Sequence, residues 1–327
     1  MKFEFNLEDN IFRLHDSLKD KTWEPDKYIS FFVRDPKLRN IHKASVCDRV
    51  LFQAIYRVLY KIFDPHFIHD SYSCRVEKGT HKGVLRLEEF VRKVSDNHND
   101  LAFALKCDVK KFFDSISHDI LIEIIKRKVG DEEAFWLIAK IINSFEKKPG
   151  IGLPLGNVTS QLFANIYLNE FDQFAKHNLK IKYYVRYCDD FIVLSEDRNY
   201  LTNLIPIFTD FILKELILDL HPNKISIRKL RQGIDFLGYV AIPHFKVLRT
   251  STKRRILKRM AFLKKELKSG NVSKEKFEQI TNSYLGILKH CHGEKIKERI
   301  LDKSLCSRTG VIPICQLTDE GSLRKVG

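Results

Sequence analysis

The stretch Tyr187-Cys188-Asp189-Asp190 constrains the fold more than any other part of the sequence. It joins two apolar runs, 182–186 and 191–194, that are rich in the β-branched and aromatic residues typical of strands. The two acids are therefore predicted to lie at a tight hairpin between paired strands. Adjacent carboxylates repel each other, and this raises the pKa of one of them unless a cation lies between them. This stretch alone is compatible with two interpretations, a metal site and a plain polar turn at the surface.

The composition limits the class of protein. Of the 327 residues, 44% are hydrophobic and 30% are charged, as in globular proteins, and the length predicts roughly two domains. No apolar run reaches the ~18 residues that cross a bilayer, and the first residues do not resemble a signal peptide, so we expect a cytoplasmic protein without a membrane partner. The formal net charge of +15 favours a polyanionic partner, although charge by itself does not separate nucleic acid from lipid.

Two further segments accompany the acidic turn. Asp108 lies near the end of the run 101–109, which predicts a strand, and the Gly/Pro loop 150–156 leads into a predicted helix over 160–174. Candidate N-caps for this helix are Asn157, Thr159 and Ser160. The other predicted elements are helices over 50–60, 120–128 and 201–218, a strand over 236–240 and a basic amphipathic helix over 253–268.

Acids in this arrangement suit the transfer of a nucleotidyl group. That reaction uses two divalent cations a few Å apart, one activating the attacking 3′ hydroxyl and one stabilising the pyrophosphate leaving group. Magnesium prefers oxygen ligands and keeps several waters, so a few carboxylates suffice. Asp108 and Asp189, on neighbouring strands, would supply them.

Five segments together resemble the ordered motifs of reverse transcriptases, over about residues 25–295. They are Lys106 to Asp114 (motif A), Gly152 to Gln161 (motif B), Tyr187 to Asp190 (motif C), Leu218 to Lys224 (motif D) and Phe236 to Tyr239 (motif E, the primer grip). The resemblance implies an α+β right-hand polymerase with fingers, a palm built on an antiparallel sheet and a helical thumb. The expected division is an N-terminal extension 1–24, fingers 25–100, palm 101–115, a fingers–palm connection 116–150, palm 151–245, thumb 246–303 and a tail 304–327.

Motif B indicates which kind of reverse transcriptase the sequence resembles. Leu155 stands where most reverse transcriptases carry Gln, and Gln161 stands where they carry Pro, which is similar to the enzymes of diversity-generating retroelements. Further segments resemble the same family: 71–75, 79–81, 231–239 and 283–286. This resemblance implies a bacterial or phage-encoded enzyme that copies template RNA into cDNA with errors at adenines. It also implies a small basic accessory protein as a partner.

The resemblance also assigns roles to individual residues. The catalytic acids are Asp108, Asp189 and Asp190, which with Val109 would bind two Mg²⁺ ions, or Mn²⁺. The dNTP would contact Arg75, Phe113 as a steric gate against a 2′ hydroxyl, Leu155, Gly156, Gln161 and Lys224. Primer and template would contact Tyr187, Leu237, Gly238, Lys253, Arg254, Lys258 and Arg259, the basic residues meeting the backbone rather than the bases.

Alternative interpretations stay open at this point. Phe113 is also compatible with a core aromatic residue, Leu155 with loop packing, and Arg75 and Lys224 with ordinary surface charges. At the level of function, the alternatives are a reverse transcriptase of an anti-phage defence system and a catalytically idle nucleic-acid-binding protein on a polymerase scaffold. Retention of all three acids argues against the idle protein, because a protein without catalysis does not need them.

Overall fold

The chain forms two compact units that divide after Gln232 in this computed structural model, which describes residues 2–34 and 37–301. The tail expected over 304–327 lies outside the described residues. The helices are α1 (Lys2–Phe5), α2 (Leu7–Lys19), α3 (Val46–Phe63), α4 (Thr80–Val94), α5 (Phe112–Ser115), α6 (His118–Lys126), α7 (Glu132–Asn143), α8 (Val158–Gln173), α9 (Arg198–Leu216), α10 (Thr250–Lys268), α11 (Lys274–Leu288) and α12 (Glu294–Leu301). The strands are β1 (Ile29–Arg34), β2 (Leu38–Lys43), β3 (Phe103–Asp108), β4 (Tyr184–Tyr187), β5 (Asp190–Ser195), β6 (Ser226–Lys229), β7 (Ile234–Phe236), β8 (Tyr239–Ile242) and β9 (Phe245–Leu248).

The first unit is built around a four-stranded antiparallel sheet. Its strand order is β4-β5-β3-β6, so that β3 and β5, far apart in sequence, are direct neighbours. Both central strands are buried over most of their length, as their continuous apolar runs predicted. The predicted strands on either side of the acidic turn are confirmed, and the sheet brings their ends to the end of β3.

Helix α8 lies in the middle of the core of this unit. Side chains that recur at helical spacing along it are at most 1% exposed, among them Leu162, Ile166 and Phe171. Phe171 packs against Phe191 of β5 with ring centroids 4.9 Å apart, which ties the helix to the sheet. The expected helix over 160–174 is thus confirmed, and it begins slightly earlier, at Val158.

The second unit, from Gly233 on, contains the sheet β7-β8-β9 and the helices α10 to α12. The single strand expected over 236–240 is wrong, because the chain turns back in the middle of it. Leu237 and Gly238 have φ of +52° and +89°, and they form the two-residue turn of the β7–β8 hairpin. Positive φ at both turn positions matches the right-handed twist of paired strands, and alternation alone does not reveal such a turn.

The helix α10 confirms the expected basic amphipathic segment. Its buried face consists of Ile256, Met260 and Leu263. Its basic residues Lys253, Arg254, Lys258 and Arg259 are exposed. Across the described ranges of both units, no helix has the length and apolarity that crossing a membrane requires. Helices combined with antiparallel sheets confirm the α+β fold class expected for a right-hand polymerase.

Candidate active site

Three carboxylates meet at one edge of the central sheet. Asp108 is the last residue of β3, and its partner across the β3–β5 pair is Asp190. Asp189 lies in the two-residue turn between β4 and β5, and its backbone oxygen accepts a hydrogen bond of 3.1 Å from the Val109 amide. The antiparallel register therefore brings together the three acids that the sequence predicted to be catalytic.

The segment that resembles motif D holds the end of β3 from the other side. The His221 amide donates to the Asp108 backbone oxygen at 2.8 Å, and the Lys110 amide donates to the Asp219 backbone oxygen at 2.8 Å. This bridge brings Lys224 to the site, where its ammonium pairs with the Asp108 carboxylate. The structure thus joins Lys224 to the acids, whereas sequence alone did not distinguish it from a solvated turn residue.

Burial and mutual repulsion govern the electrostatics of the acids. Burial raises the pKa of Asp190 to about 6, against the opposing effect of Lys106 and with a further increase from Asp108 and Asp189. The Lys106 ammonium lies 2.9 Å from one Asp190 oxygen, and the other oxygen is buried without a hydrogen-bond partner. Burial, followed by repulsion from Asp108, also raises the pKa of Asp189. Asp189 and Asp190 would therefore both be stabilised in their charged form by a nearby cation.

The donor set fits Mg²⁺, which prefers carboxylate oxygens. An unpartnered buried oxygen on Asp190 and the repulsion between Asp108 and Asp189 are both conditions that a divalent cation would relieve. Among the described residues, His, Cys, Asp and Glu side chains do not form a group of three or more already arranged to hold a metal. Lys224 and Lys106 instead neutralise Asp108 and Asp190 in part. The predicted role of the Val109 carbonyl as a further ligand stays a prediction.

Phe113 connects the segment after β3 to the loop before α8. Its backbone oxygen accepts a hydrogen bond of 2.8 Å from the Leu153 amide. Its ring is half-buried and lies edge-on to Phe112, with centroids 5.5 Å apart. The side chain is thus neither a fully buried core residue nor a free surface ring, and this leaves the steric gate as a prediction.

The Gly/Pro loop is fastened to the hairpin β1–β2. The His42 amide donates to the Leu155 backbone oxygen at 2.8 Å. Gly156 has φ of +116°, and a Cβ at this position would lie 2.8 Å from Cγ2 of Ile41. Glycine is therefore required here both by the backbone conformation and by the close approach of β2. Gln161, in the first turn of α8, is exposed.

Asn157 is a residue whose importance the sequence did not reveal. It is 3% exposed, and both its Oδ1 and its Nδ2 are buried without a hydrogen-bond partner. It lies at the N-cap position of α8, as one of the three candidate caps. Its side chain nevertheless makes no capping hydrogen bond. Buried unpaired amides are rare because they cost free energy. The only sequence feature that singled out Asn157 was its position directly after Gly156 and before the predicted helix, and this position indicated a helix cap.

Two residues expected to contact ligands have partners within the first unit. The Arg75 guanidinium, 8% exposed, pairs with Asp64 at 2.6 Å and donates to the Ile68 backbone oxygen at 2.7 Å. A triphosphate would have to compete with these partners, so the structure does not add support to this predicted contact. The Tyr187 hydroxyl accepts a bond of 3.4 Å from the Thr80 hydroxyl at the start of α4.

The remaining predicted nucleic-acid contacts belong to the second unit. Leu237 and Gly238 form the β7–β8 turn, where the Gly238 oxygen accepts a bond of 2.9 Å from the Arg249 amide. The four basic residues of α10 project from its exposed face.

Relatives of known sequence match about half of the chain. The protein is 28% identical over 185 residues to the group II intron-encoded protein LtrA of Lactococcus lactis subsp. cremoris, a match that covers 54% of this chain and 30% of LtrA. It is 26% identical over 144 residues to protein YkfC of Escherichia coli (strain K12), covering 42% of this chain and 37% of YkfC. The matched part is therefore only about a third of either relative.

Solved structures share the fold. Telomerase from Candida albicans, in complex with a TWJ fragment of telomeric RNA, superposes with a TM-score of 0.51 at 11% identity, covering 85% of this chain and 59% of that one. At the sequence level, the family described as reverse transcriptase (RNA-dependent DNA polymerase) matches residues 33–241. This range includes β3, the loop before α8 and the β4–β5 turn, so that the three acids lie within the matched segment. The chain belongs to the reverse transcriptase family.

Proposed function

We propose that the protein is an RNA-directed DNA polymerase that extends a primer on a template RNA by nucleotidyl transfer from dNTPs. The observation that carries the proposal is the register of β3 against β5, which pairs Asp108 with Asp190 and sets Asp189 beside them. Family membership supports the same chemistry. A binding protein without catalysis would gain nothing from three repelling carboxylates at one sheet edge.

The proposal assigns a separate role to each residue of the site. Asp108 and Asp189 would hold two divalent cations, with Asp190 beside them; members of the family generally use such ions, which activate the 3′ hydroxyl and stabilise the leaving pyrophosphate. Lys224, whose ammonium pairs with Asp108, would donate a proton to the leaving pyrophosphate. Phe113 excludes the 2′ hydroxyl of a ribonucleotide, and the exposed basic residues of α10 bind the primer–template backbone.

Primer extension on a defined RNA template tests the proposal. Wild type should extend the primer in the presence of Mg²⁺ and stop when EDTA is added. Asp189→Asn should lose about 10³-fold in rate, because removing a metal ligand forfeits several kcal/mol of transition-state stabilisation. Asp197→Asn, a change of the same chemistry at the exposed N-cap of α9, should retain activity. Equal rates for wild type and Asp189→Asn would contradict the proposal.

We further propose that the polymerase is error-prone at adenines and serves a diversity-generating retroelement, with a small basic accessory protein as partner. The support is the resemblance of the loop before α8, with Leu155 and Gln161. A leucine offers the nascent pair only shape, whereas glutamine also offers hydrogen bonds that penalise a misaligned pair.

Sequencing of cDNA made in the presence of the accessory protein tests this finer role. We expect wild-type errors to concentrate opposite template adenines and Leu155→Gln to reduce them several-fold. Leu153→Met, a conservative change in the same loop, serves as the control. Errors spread evenly over the four bases would contradict the diversification role and leave a reverse transcriptase of another kind, such as one in phage defence.

A further inference from the structure

A buried arginine next to the acidic turn has no place in the roles described so far. Arg186, in β4, is 0% exposed and heads the largest fully buried side chains of the described part of the chain. An arginine that folding removes from water must have partners for its charge and its donors, because desolvation of an unpaired charge is very costly. The hydrogen-bond partners of Arg186 indicate its role.

Two of its three nitrogens face a carboxylate on α8. Nε donates to Oδ1 of Asp172 at 2.7 Å, and Nη2 donates to Oδ2 at 2.5 Å, a bidentate fork between two groups that are both 0% exposed. Tyr184, two residues earlier on the same face of β4, donates its hydroxyl to Oδ1 of Asp172 at 2.6 Å. This geometry suits arginine rather than lysine, because only guanidinium matches a carboxylate with two parallel bonds.

The third nitrogen reaches the acidic turn itself. Nη1 donates to the backbone oxygen of Cys188 at 3.0 Å and to Oδ1 of Asn165 on α8 at 3.3 Å. Cys188 has φ of +55°, a left-handed conformation that is unfavourable for a non-glycine residue and persists only where the surroundings enforce it. The bond from Arg186 is a direct source of that enforcement.

The consequence falls on Asp189. The Cys188 oxygen belongs to the peptide group that precedes Asp189, and the Asp189 oxygen, in the peptide group that follows, accepts the bond from Val109. Both peptide planes around Asp189 are thus fixed, one by Arg186 and one by the segment after β3. The backbone from which the Asp189 carboxylate projects is therefore held on both sides.

We propose that Arg186 is a positioning residue for polymerisation, which couples α8 to the acidic turn by holding the Cys188–Asp189 peptide in place. This inference rests on the proposed polymerase function and adds to it a residue that touches neither substrate nor metal. The pair with Asp172 anchors the guanidinium, and Nη1 transmits the position of α8 to the turn. The contact therefore links the acidic turn to the helix that follows the motif B segment, at Asn165 and Asp172.

Two variants separate positioning from mere core stability. Arg186→Lys keeps a charge for Asp172 but cannot span Asp172 and the Cys188 oxygen at once. The triple variant Asp172→Leu, Tyr184→Phe, Arg186→Met replaces the whole buried pair by apolar side chains of similar volume, a change that is often neutral or stabilising for folding. Leu204→Ala, a truncation at a 3% exposed position of α9, is the control for loss of stability alone.

Each variant is measured in three ways. Primer extension gives kcat and the KM for dNTP, and thermal unfolding gives the fraction folded. Mn²⁺ binding, followed by electron paramagnetic resonance in the presence of primer–template, reports the site without turnover. For both Arg186 variants we expect kcat and Mn²⁺ affinity to fall by about 10–100-fold, as when other supports of metal ligands are removed, with KM for dNTP little changed. Leu204→Ala should lower the melting temperature and leave kcat per folded molecule unchanged.

The outcomes decide between this inference and the proposed function. Wild-type kcat and Mn²⁺ affinity in a folded Arg186→Lys or triple variant would overturn the positioning role. So would unfolding of both variants, because the pair would then be needed for the fold. If wild type itself fails to extend primers and matches Asp189→Asn, the proposed function is wrong instead.

Discussion

Neutralising Asp190 should stabilise the metal-free protein while impairing polymerisation. Burial raises the pKa of this carboxyl from 3.8 to about 6 despite its pairing with Lys106. At about 1.4 kcal/mol for each pH unit, the difference corresponds to about 3 kcal/mol that the folded state loses when Asp190 is ionised. Asparagine has nearly the shape of the protonated acid and carries no charge, so Asp190→Asn should recover that free energy at pH 7.5.

The sign of the pH dependence follows from the direction of the pKa change. Below pH 3.8 the carboxyl is protonated in both the folded and the unfolded chain, so the full contribution of this group to stability is present. As the pH rises from 3.8 through about 6, the unfolded chain ionises first and the contribution is lost. The advantage of Asp190→Asn over wild type should therefore be about 1 kcal/mol near pH 4.5 and grow to its full size of about 3 kcal/mol above pH 7.

Thermal unfolding in EDTA measures this difference. For a domain of 150–250 residues, 1 kcal/mol shifts the melting temperature by roughly 2–4 °C, so about 3 kcal/mol predicts an increase of about 6–12 °C for the first unit at pH 7.5. Asp210→Asn, which neutralises an exposed partner of Lys214 on α9, is the control and should change stability by less than about 0.5 kcal/mol. The reasoning is refuted if Asp190→Asn melts no higher than wild type at pH 7.5, or gains equally at pH 4.5 and 7.5.

Three further perturbations test other parts of the site. Phe113→Ala should raise ribonucleotide incorporation at least 10-fold relative to dNTP in single-nucleotide extension, whereas Phe112→Leu, at the buried neighbour, should not; unchanged selectivity would exclude the steric gate. Gly156→Ala should destabilise the first unit by about 1–3 kcal/mol in urea unfolding, because the residue has a positive φ and the new Cβ would meet Ile41. The control is Gly130→Ala, since nothing lies within 4 Å of a Cβ at that position. Equal destabilisation by the two variants would contradict the close approach of Ile41. Reversing the charge of Lys253, Arg254 and Lys258 should weaken primer–template binding and reduce its dependence on salt. Charge reversal at the exposed Lys274 is the control and should change neither. An unchanged salt dependence in the α10 variant would show that α10 does not bind the nucleic acid.

Local sequence was sufficient for the strands that meet at the acids and for five of the twelve described helices: α3, α6, α8, α9 and α10. The runs around Asp189 are apolar and β-branched on both sides, and their strands β4 and β5 follow directly from that composition. The apolar residues that recur at helical spacing along α8 are buried, as that spacing indicated. The β7–β8 turn was missed because Leu237 takes a positive φ, which leucine rarely adopts and which no local pattern announces.

Partnerships between distant residues depended on the fold. Lys224 lies 116 positions from Asp108, and Arg186 meets Asp172 only because β4 packs on α8. Asn157 resembled a helix cap in sequence, yet its amide is buried and unpaired, a property that burial alone creates. Side-chain hydrogen bonds and ion pairs form between groups that the chain path brings together, and sequence spacing does not encode that path.

The sequence by itself predicted the chemistry that we propose for the protein. Two acids at a hairpin, a third near a strand end and the ordered motifs between them predict a nucleotidyl-transfer site, because residue type decides which side chains can bind a metal ion. Only the tertiary structure decided how those acids are held and charged. The register of β3 against β5 sets their spacing, burial raises the pKa of Asp189 and Asp190, and Lys106, Lys224 and Arg186 become part of the site through contacts that folding alone creates.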